Sequence, residues 1–245
     1  MSESHSPYDG LAWFYDRYWA SQFIDRIYPV LDKWFLPQLP SEARILDLCC
    51  GTGQMAARLT EAGYKVTGLD NSKEMLAFAK RNAPLAGFVE SNAENFTLPD
   101  QVHGVISLYD SLNHLMTEER LLSTFASVYA ALRPGGLFLF DLNIEEGYLK
   151  GWKGSWSIVE PDHVLAVRNS YDPELKRGRL DAAMFRLIDG VWYRTDEVFE
   201  QTAFDIDSVS QLLTSVGFIL QKTGLSSDFG MASGGRQFWL AEKPA

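Results

Sequence analysis

Asp47-Leu-Cys-Cys-Gly51-Thr-Gly53 stands where an apolar run over residues 43–49 gives way to a helical pattern. Glycines at such a junction permit a tight turn and let backbone N–H groups approach a ligand at a helix N-terminus. Asp70 closes a second apolar run, over residues 65–70. A carboxylate at that strand end can accept both hydroxyl protons of a ribose. Gly51-Thr-Gly53-Gln-Met-Ala56 also reads G-x-G-x-x-A, so these features by themselves fit a dinucleotide as well as a simpler nucleoside donor. Asp47 separates the two, because a carboxylate repels a pyrophosphate and attracts an ammonium group. Two further polar stretches follow the third and fourth strands: Asn92-Ala93-Glu94 and Tyr109-Asp110-Ser111-Leu112-Asn113-His114. Open α/β sheets bind ligands at the carboxyl ends of their strands, where both stretches fall.

The elements that must position these residues are legible from hydrophobic periodicity. Leu11, Phe14, Tyr15, Tyr18, Phe23, Ile27, Val30, Leu31 and Trp34 recur at helical spacing, which predicts two helices over 8–36, ended by Pro37 and Pro40. Strands are expected at 43–49, 65–70, 88–91, 102–108 and 137–142, alternating with helices at 54–62, 72–82 and 117–132. Ser72 and Thr117 are the expected N-caps. Between 147 and 204 the pattern changes to β-rich runs at 155–160, 163–171, 179–188 and 191–204. Their turn signals are Pro161-Asp162, Asp172-Pro173 and Asp189-Gly190. A helix at 206–216 and strands at 218–223 and 237–241 complete the chain. The expected fold is α/β: a Rossmann-like, seven-stranded, mostly parallel sheet with helices on both faces. An antiparallel β insert falls between the fifth strand and the last helix. The expected organisation is a helical lid over 1–40, a ligand-binding domain over 41–146 and 205–245, and the insert over 147–204.

The order of these motifs resembles the class I S-adenosylmethionine-dependent methyltransferases. It runs Asp-x-Cys-x-Gly-Thr-Gly, then Gly-Leu-Asp70-Asn71-Ser72 with Met75, then Asn92-Ala93-Glu94, then YDSLNHL, then LRPGG. Cys49 stands where their first motif has glycine. YDSLNHL and the N-terminal YDGLAWFYDRYW resemble the small-molecule branch, which includes glycine and nucleotide-aminosugar N-methyltransferases. The resemblance implies S-adenosyl-L-methionine as cofactor and a small-molecule acceptor. It places Asp70 on the ribose, Asn71 and Met75 beside the adenine, and Asn92, Ala93 and Glu94 at the adenine edge. Gly51 and Gly53, with Asp47 and Cys49, would underlie the methionine part. Leu108, Tyr109 and Asp110 would line the donor near the sulfonium, and Tyr15 and Tyr18 would close over it from the N-terminal helices.

Methyl transfer from a sulfonium is an in-line displacement in which positioning supplies much of the rate. His114 is the candidate general base; His163, in the insert, is an alternative facing the same cleft. Tyr15 is the second catalytic candidate, through an aromatic face on the sulfonium. Cys49 and Cys50 have no activating neighbour in sequence, so they are read as packing residues. The insert aromatics Trp152, Trp156, Tyr171, Phe185, Trp192, Tyr193 and Phe199 fit a sheet face on the core, a cap over the acceptor pocket, or a homodimer surface. Rival readings are an NAD(P)-dependent oxidoreductase, which lacks a recognisable hydride-transfer site, a non-catalytic donor-binding module, and an enzyme that cyclises or cleaves the donor itself.

Composition narrows the partners. The 245 residues carry a formal net charge of −10, which argues against phosphate backbones and anionic lipid. The one basic cluster, Lys176-Arg177-Gly-Arg179, is diluted by Asp172, Glu174 and Asp181. Met1 to Gly10 has no signal-peptide character and no apolar run reaches membrane-span length, so a cytoplasmic protein is expected. Adjacent Cys49 and Cys50 with four scattered histidines offer neither a disulfide nor a zinc spacing, and no metal is expected. The identity of the acceptor, and whether N, O or C is methylated, stay open at this level.

Overall fold

The structure, a computed structural model, describes residues 6–231 and 235–245; the first five residues of the expected lid lie outside the described residues. Seven strands form one sheet: β1 (Arg44–Leu48), β2 (Lys65–Asp70), β3 (Gly87–Glu90), β4 (Val102–Ser107), β5 (Leu132–Asn143), β10 (Ile219–Leu225) and β11 (Arg236–Glu242). Their spatial order is β10-β11-β5-β4-β1-β2-β3. The first five strands pair in parallel, while β11 runs antiparallel to both β5 and β10. The expected seven-stranded α/β fold is therefore what the chain adopts.

Side chains alternate across each strand, and the core divides accordingly. Leu46, Leu48, Val105, Phe138, Phe140 and Trp239 pack on one face against α5 (Glu118–Ala131) and α7 (Ile206–Val216). Ile45, Ile106, Leu139, Phe238 and Leu240 pack on the other against α2 (Ala20–Val30) and α3 (Gln54–Glu61). Near-continuous apolar runs are what a strand buried on both faces requires. Ser72 caps α4 (Lys73–Asn82), its Oγ accepting the Met75 N–H at 3.1 Å, and Thr117 caps α5 in the same way at 3.3 Å to Arg120.

Strand order places the ligand crevice. The chain runs from β1 outward to β2 and β3, then returns to β4 on the other side of β1, a reversal that opens a gap beyond the carboxyl ends of β1 and β4. Backbone in the left-handed region marks both ends: φ is 61° at Cys49, and 64° and 53° at Tyr109 and Asp110. A glycine would occupy the Cys49 position without that steric cost.

α1 (Pro7–Tyr18) lies across the crevice. Asp9 accepts the Ser72 hydroxyl at 2.6 Å, and Asp16 accepts side-chain N–H groups of Gln54 and Asn82, both at 2.7 Å. The β-rich segment forms its own antiparallel sheet of β6 (Gly154–Glu160), β7 (His163–Asp172), β8 (Arg177–Ile188) and β9 (Val191–Thr202). Asp189 and Gly190 turn the last hairpin with φ of 50° and 80°, as an Asp-Gly turn of mirror type demands. Leu165, Val167, Ala182, Met184 and Phe199 bury Phe14 of α1. Periodicity did not reveal α6 (Glu145–Gly151), a seven-residue helix too short for its spacing to register. No helix among the described residues is long and apolar enough to cross a membrane.

Candidate active site

A cavity of about 410 Å³ opens between α1, the loops after β1 to β4, and β9. Eleven of the donor-site and catalytic candidates named from the sequence line it: Tyr15, Cys49, Gly51, Asp70, Asn71, Met75, Asn92, Ala93, Glu94, Tyr109 and His114. A smaller recess shares Tyr15, Cys49 and Tyr109 with it and reaches Asp47 and Leu108.

Asp70 is held from both sides. One carboxylate oxygen accepts the Gly51 N–H at 2.9 Å and the other the Ser72 N–H at 3.0 Å. Burial raises its pKa, opposed by those N–H groups. Each oxygen keeps lone-pair capacity for a further donor. Across the cavity, Arg120 donates from Nε to Glu94 Oε1 at 2.9 Å, and the Glu94 carbonyl accepts the hydroxyls of Ser123 and Ser127, each at 2.9 Å. The loop after β3 is thereby fastened to α5.

The recess is polar and undersupplied with partners. Asp47 is buried, and its Oδ2 has no hydrogen-bond partner among the described residues; the same is true of Tyr109 Oη. Burial, and secondarily the charge of Asp70, push the Asp47 carboxyl up to about 7. A bare carboxylate oxygen in such a place is costly unless a cation meets it.

Four of the named residues stand elsewhere, each for a physical reason. The Tyr18 hydroxyl meets His163 Nε2, and His163 Nδ1 donates to Asp162 at 2.6 Å. Trp13 and Phe14 close around that ring. Tyr18 therefore ties α1 to the insert, and His163, 1% exposed, does not face the cleft. Gly53 begins α3 with φ of 84°, where a Cβ would lie 2.8 Å from the Ala79 Cα; its place is a close helix contact, not the cavity wall. Asp110 turns its carboxylate to Arg236 and to Gln201 Nε2, at 2.7 Å for the latter.

Sequence reasoning missed Tyr8, Asp141, Gln201 and Arg236. Asp141 is fully buried at the end of β5 and accepts the N–H groups of Tyr109 and Asp110 at 2.7 and 3.0 Å, while Arg236 bridges it to Asp110. Only the charge of Asp141 in an apolar strand could have signalled this. His114 is equally engaged. Its Nδ1 lies 2.8 Å from the Glu200 carbonyl, which can only accept, so Nδ1 carries the proton and Nε2 is the acceptor. Tyr8 donates its hydroxyl to Nε2 at 2.7 Å, and Gln201 Nε2 lies 3.0 Å away. Burial lowers the His114 pKa. Both cysteines are free thiols whose pKa burial raises, so neither is primed as a nucleophile.

The methyltransferase-domain family model matches residues 45–136, from β1 into β5. YqeM of Bacillus subtilis, named as a methyltransferase, is 31% identical over 96% of this chain and 97% of its own length. The chain belongs to the S-adenosylmethionine-dependent methyltransferases. The glycine/sarcosine N-methyltransferase of Halorhodospira halochloris is 30% identical to this methyltransferase, over 61% of this chain and 66% of the relative. A methyltransferase structure from Clostridium acetobutylicum superposes with a TM-score of 0.78 at 19% identity, covering 98% of this chain and 100% of the other, a likeness of fold. Family membership closes the dinucleotide reading that the Gly-Thr-Gly turn left open.

Proposed function

We propose that this enzyme transfers a methyl group to the nitrogen or oxygen of a small molecule held between α1, His114 and β9. The bare Asp47 oxygen carries the reading: it complements the ammonium of a methionine part, and a pyrophosphate would find it repulsive. Asp70, beside it, complements ribose hydroxyls. Asn71 and Met75 flank the adenine, with Asn92, Ala93 and Glu94 at its edge. Gly51 faces the Tyr15 ring, a Cβ there falling in ordinary contact at 3.5 Å from Tyr15 Cε1, and the ring face supports a sulfonium. When bound, S-adenosylmethionine supplies an electrophilic methyl on a positively charged sulfur. The residues bind, orient and exclude water: α1 covers the cavity as a lid, and Val198, Phe199 and Glu200 of the insert form its acceptor side.

Calorimetric titration with S-adenosylmethionine, S-adenosylhomocysteine and NAD, using Asp70→Ala as control, tests the donor site. Micromolar binding of the two adenosyl compounds, lost in the variant, is the expected result. An acceptor panel of glycine, sarcosine, ethanolamine and glucosamine, with S-adenosylhomocysteine as the product followed, tests the reaction. Formation of methylthioadenosine instead would show the donor itself being cleaved.

A further inference from the structure

We propose that the Tyr8 phenol, not the His114 imidazole, meets the acceptor, and that the acceptor is an amine whose proton leaves through the Tyr8 oxygen to His114 Nε2. The inference rests on the methyltransferase reading and adds to it the residue in contact and the acceptor class. His114 has no free nitrogen for a molecule in the cavity. Its Nδ1–H is committed to the Glu200 carbonyl at 2.8 Å, and its Nε2 lone pair lies 2.7 Å from the Tyr8 oxygen and 3.0 Å from Gln201 Nε2. Tyr8 lines the same cavity. Its ring stands edge-on to His114, at 5.4 Å and 88°, and against Phe199 at 4.9 Å, so its direction is set by α1 and β9 together. Having donated its hydrogen to His114, the phenol presents only acceptor capacity to the cavity. The complement is an N–H or O–H donor.

The strength of the base chooses between those donors. Burial holds the Tyr8 phenol well above its ordinary pKa and the His114 imidazole below its own, so the phenol keeps its proton and Nε2 keeps its lone pair. A proton can pass only if Tyr8 gives one as it receives one. An imidazole-strength base can accept from an ammonium but not from an aliphatic hydroxyl, an acid about as weak as water with a pKa of about 15.7. In the step, the ammonium N–H bond breaks as a new Tyr8 O–H bond forms, and the old Tyr8 proton binds His114 Nε2. The freed nitrogen lone pair then forms the N–CH₃ bond, and the electron pair of the broken S–CH₃ bond stays on sulfur. Asp110, from the loop after β4, accepts Gln201 Nε2 at 2.7 Å beside the imidazolium, and its charge offsets the one formed. Arg236, from β11, in turn pairs with Asp110, so the carboxylate is shared between two cations until water takes the proton.

The test combines a spectroscopic and a kinetic readout. In protein labelled with ¹⁵N-histidine, the His114 signal, identified by its loss in His114→Gln, is expected to show an unprotonated Nε2 at pH 7.5. That shift should move in Tyr8→Phe. Tyr8→Phe and His114→Gln should each lower kcat on the amine panel by about 100-fold, leave calorimetric donor binding within about threefold, and lose no further rate when combined. A protonated Nε2, full turnover by a folded Tyr8→Phe, or independent multiplication of the two losses overturns the relay. Donor binding with methylation of hydroxyl compounds only overturns the amine class, whereas absence of donor binding in the parent protein overturns the reading beneath it.

Discussion

The Asp141 carboxylate accepts the backbone N–H of Tyr109 at 2.7 Å, tying the end of β5 to the left-handed turn that follows β4. The same carboxylate takes the Asp110 N–H and the Arg236 guanidinium. One buried side chain thus shapes the wall of the cavity between α1 and the sheet. Replacing it by asparagine leaves Arg236 without half its counter-charge and the turn with one acceptor oxygen in place of two. Asp141→Asn is expected to lower unfolding free energy by about 3 kcal/mol, measured by urea denaturation, and to weaken donor binding at least tenfold. A variant with parental stability would show the turn to be held by its own backbone.

Asp47 gives the free protein a pH dependence of defined sign. Burial first, and Asp70 second, raise its folded pKa to about 7, above the unfolded value. The folded state then binds more protons between about pH 4 and 7, so this group's contribution to stability falls as pH rises through that window. Asp47→Asn removes the buried charge and should stabilise the free protein at pH 8 by on the order of 2 kcal/mol. Donor affinity should move oppositely, rising from pH 5.5 to 7 in the parent as the carboxylate ionises, and falling at least tenfold in Asp47→Asn. Urea titrations at pH 5 and 8, with calorimetry across the same range, check both; a flat affinity profile would remove Asp47 from the donor site.

Tyr15 and Tyr18 make a paired prediction. Tyr18→Phe deletes the partner of Nε2 on buried His163, which should cost about 1–2 kcal/mol of stability with donor affinity unchanged within about threefold. Tyr15→Leu removes the ring over Gly51 and should weaken donor binding by about tenfold, in line with a lost cation–π contact. Thermal melts and titrations of the two variants separate them; equal losses of affinity would contradict the placement of Tyr18.

Gly53→Ala tests whether this glycine serves the packing of helices. Its positive φ and the 2.8 Å approach to Ala79 predict destabilisation by about 2–3 kcal/mol. The melting temperature should fall, while donor affinity measured well below it stays near the parental value. A selective loss of affinity would return Gly53 to the ligand.

The sequence by itself determined the sheet, its helices and the loops that bear the site. Each of those depends on local periodicity, caps and turns: the apolar runs of β1 and β4, Ser72 and Thr117, and Asp189-Gly190 are read within a few residues. The cavity lining followed for the same reason, since Cys49, Asp70, Asn92 and Tyr109 all sit at strand ends whose position the strand order dictates. Tertiary structure alone decided the rest. Tyr15 and Tyr18 share a helix face and differ by about 4.5 Å of rise, yet α1 spans two neighbours, so one ring meets the cavity and the other the insert. Tyr8 and His114 are 106 residues apart and Asp110 and Arg236 are 126. No spacing rule links such pairs; they meet because α1 crosses the crevice and β11 returns the chain to the edge where β4 ends. A side chain's chemistry is encoded locally, but its partner is chosen by the fold, and for His114 that partner is another side chain and not the open cavity.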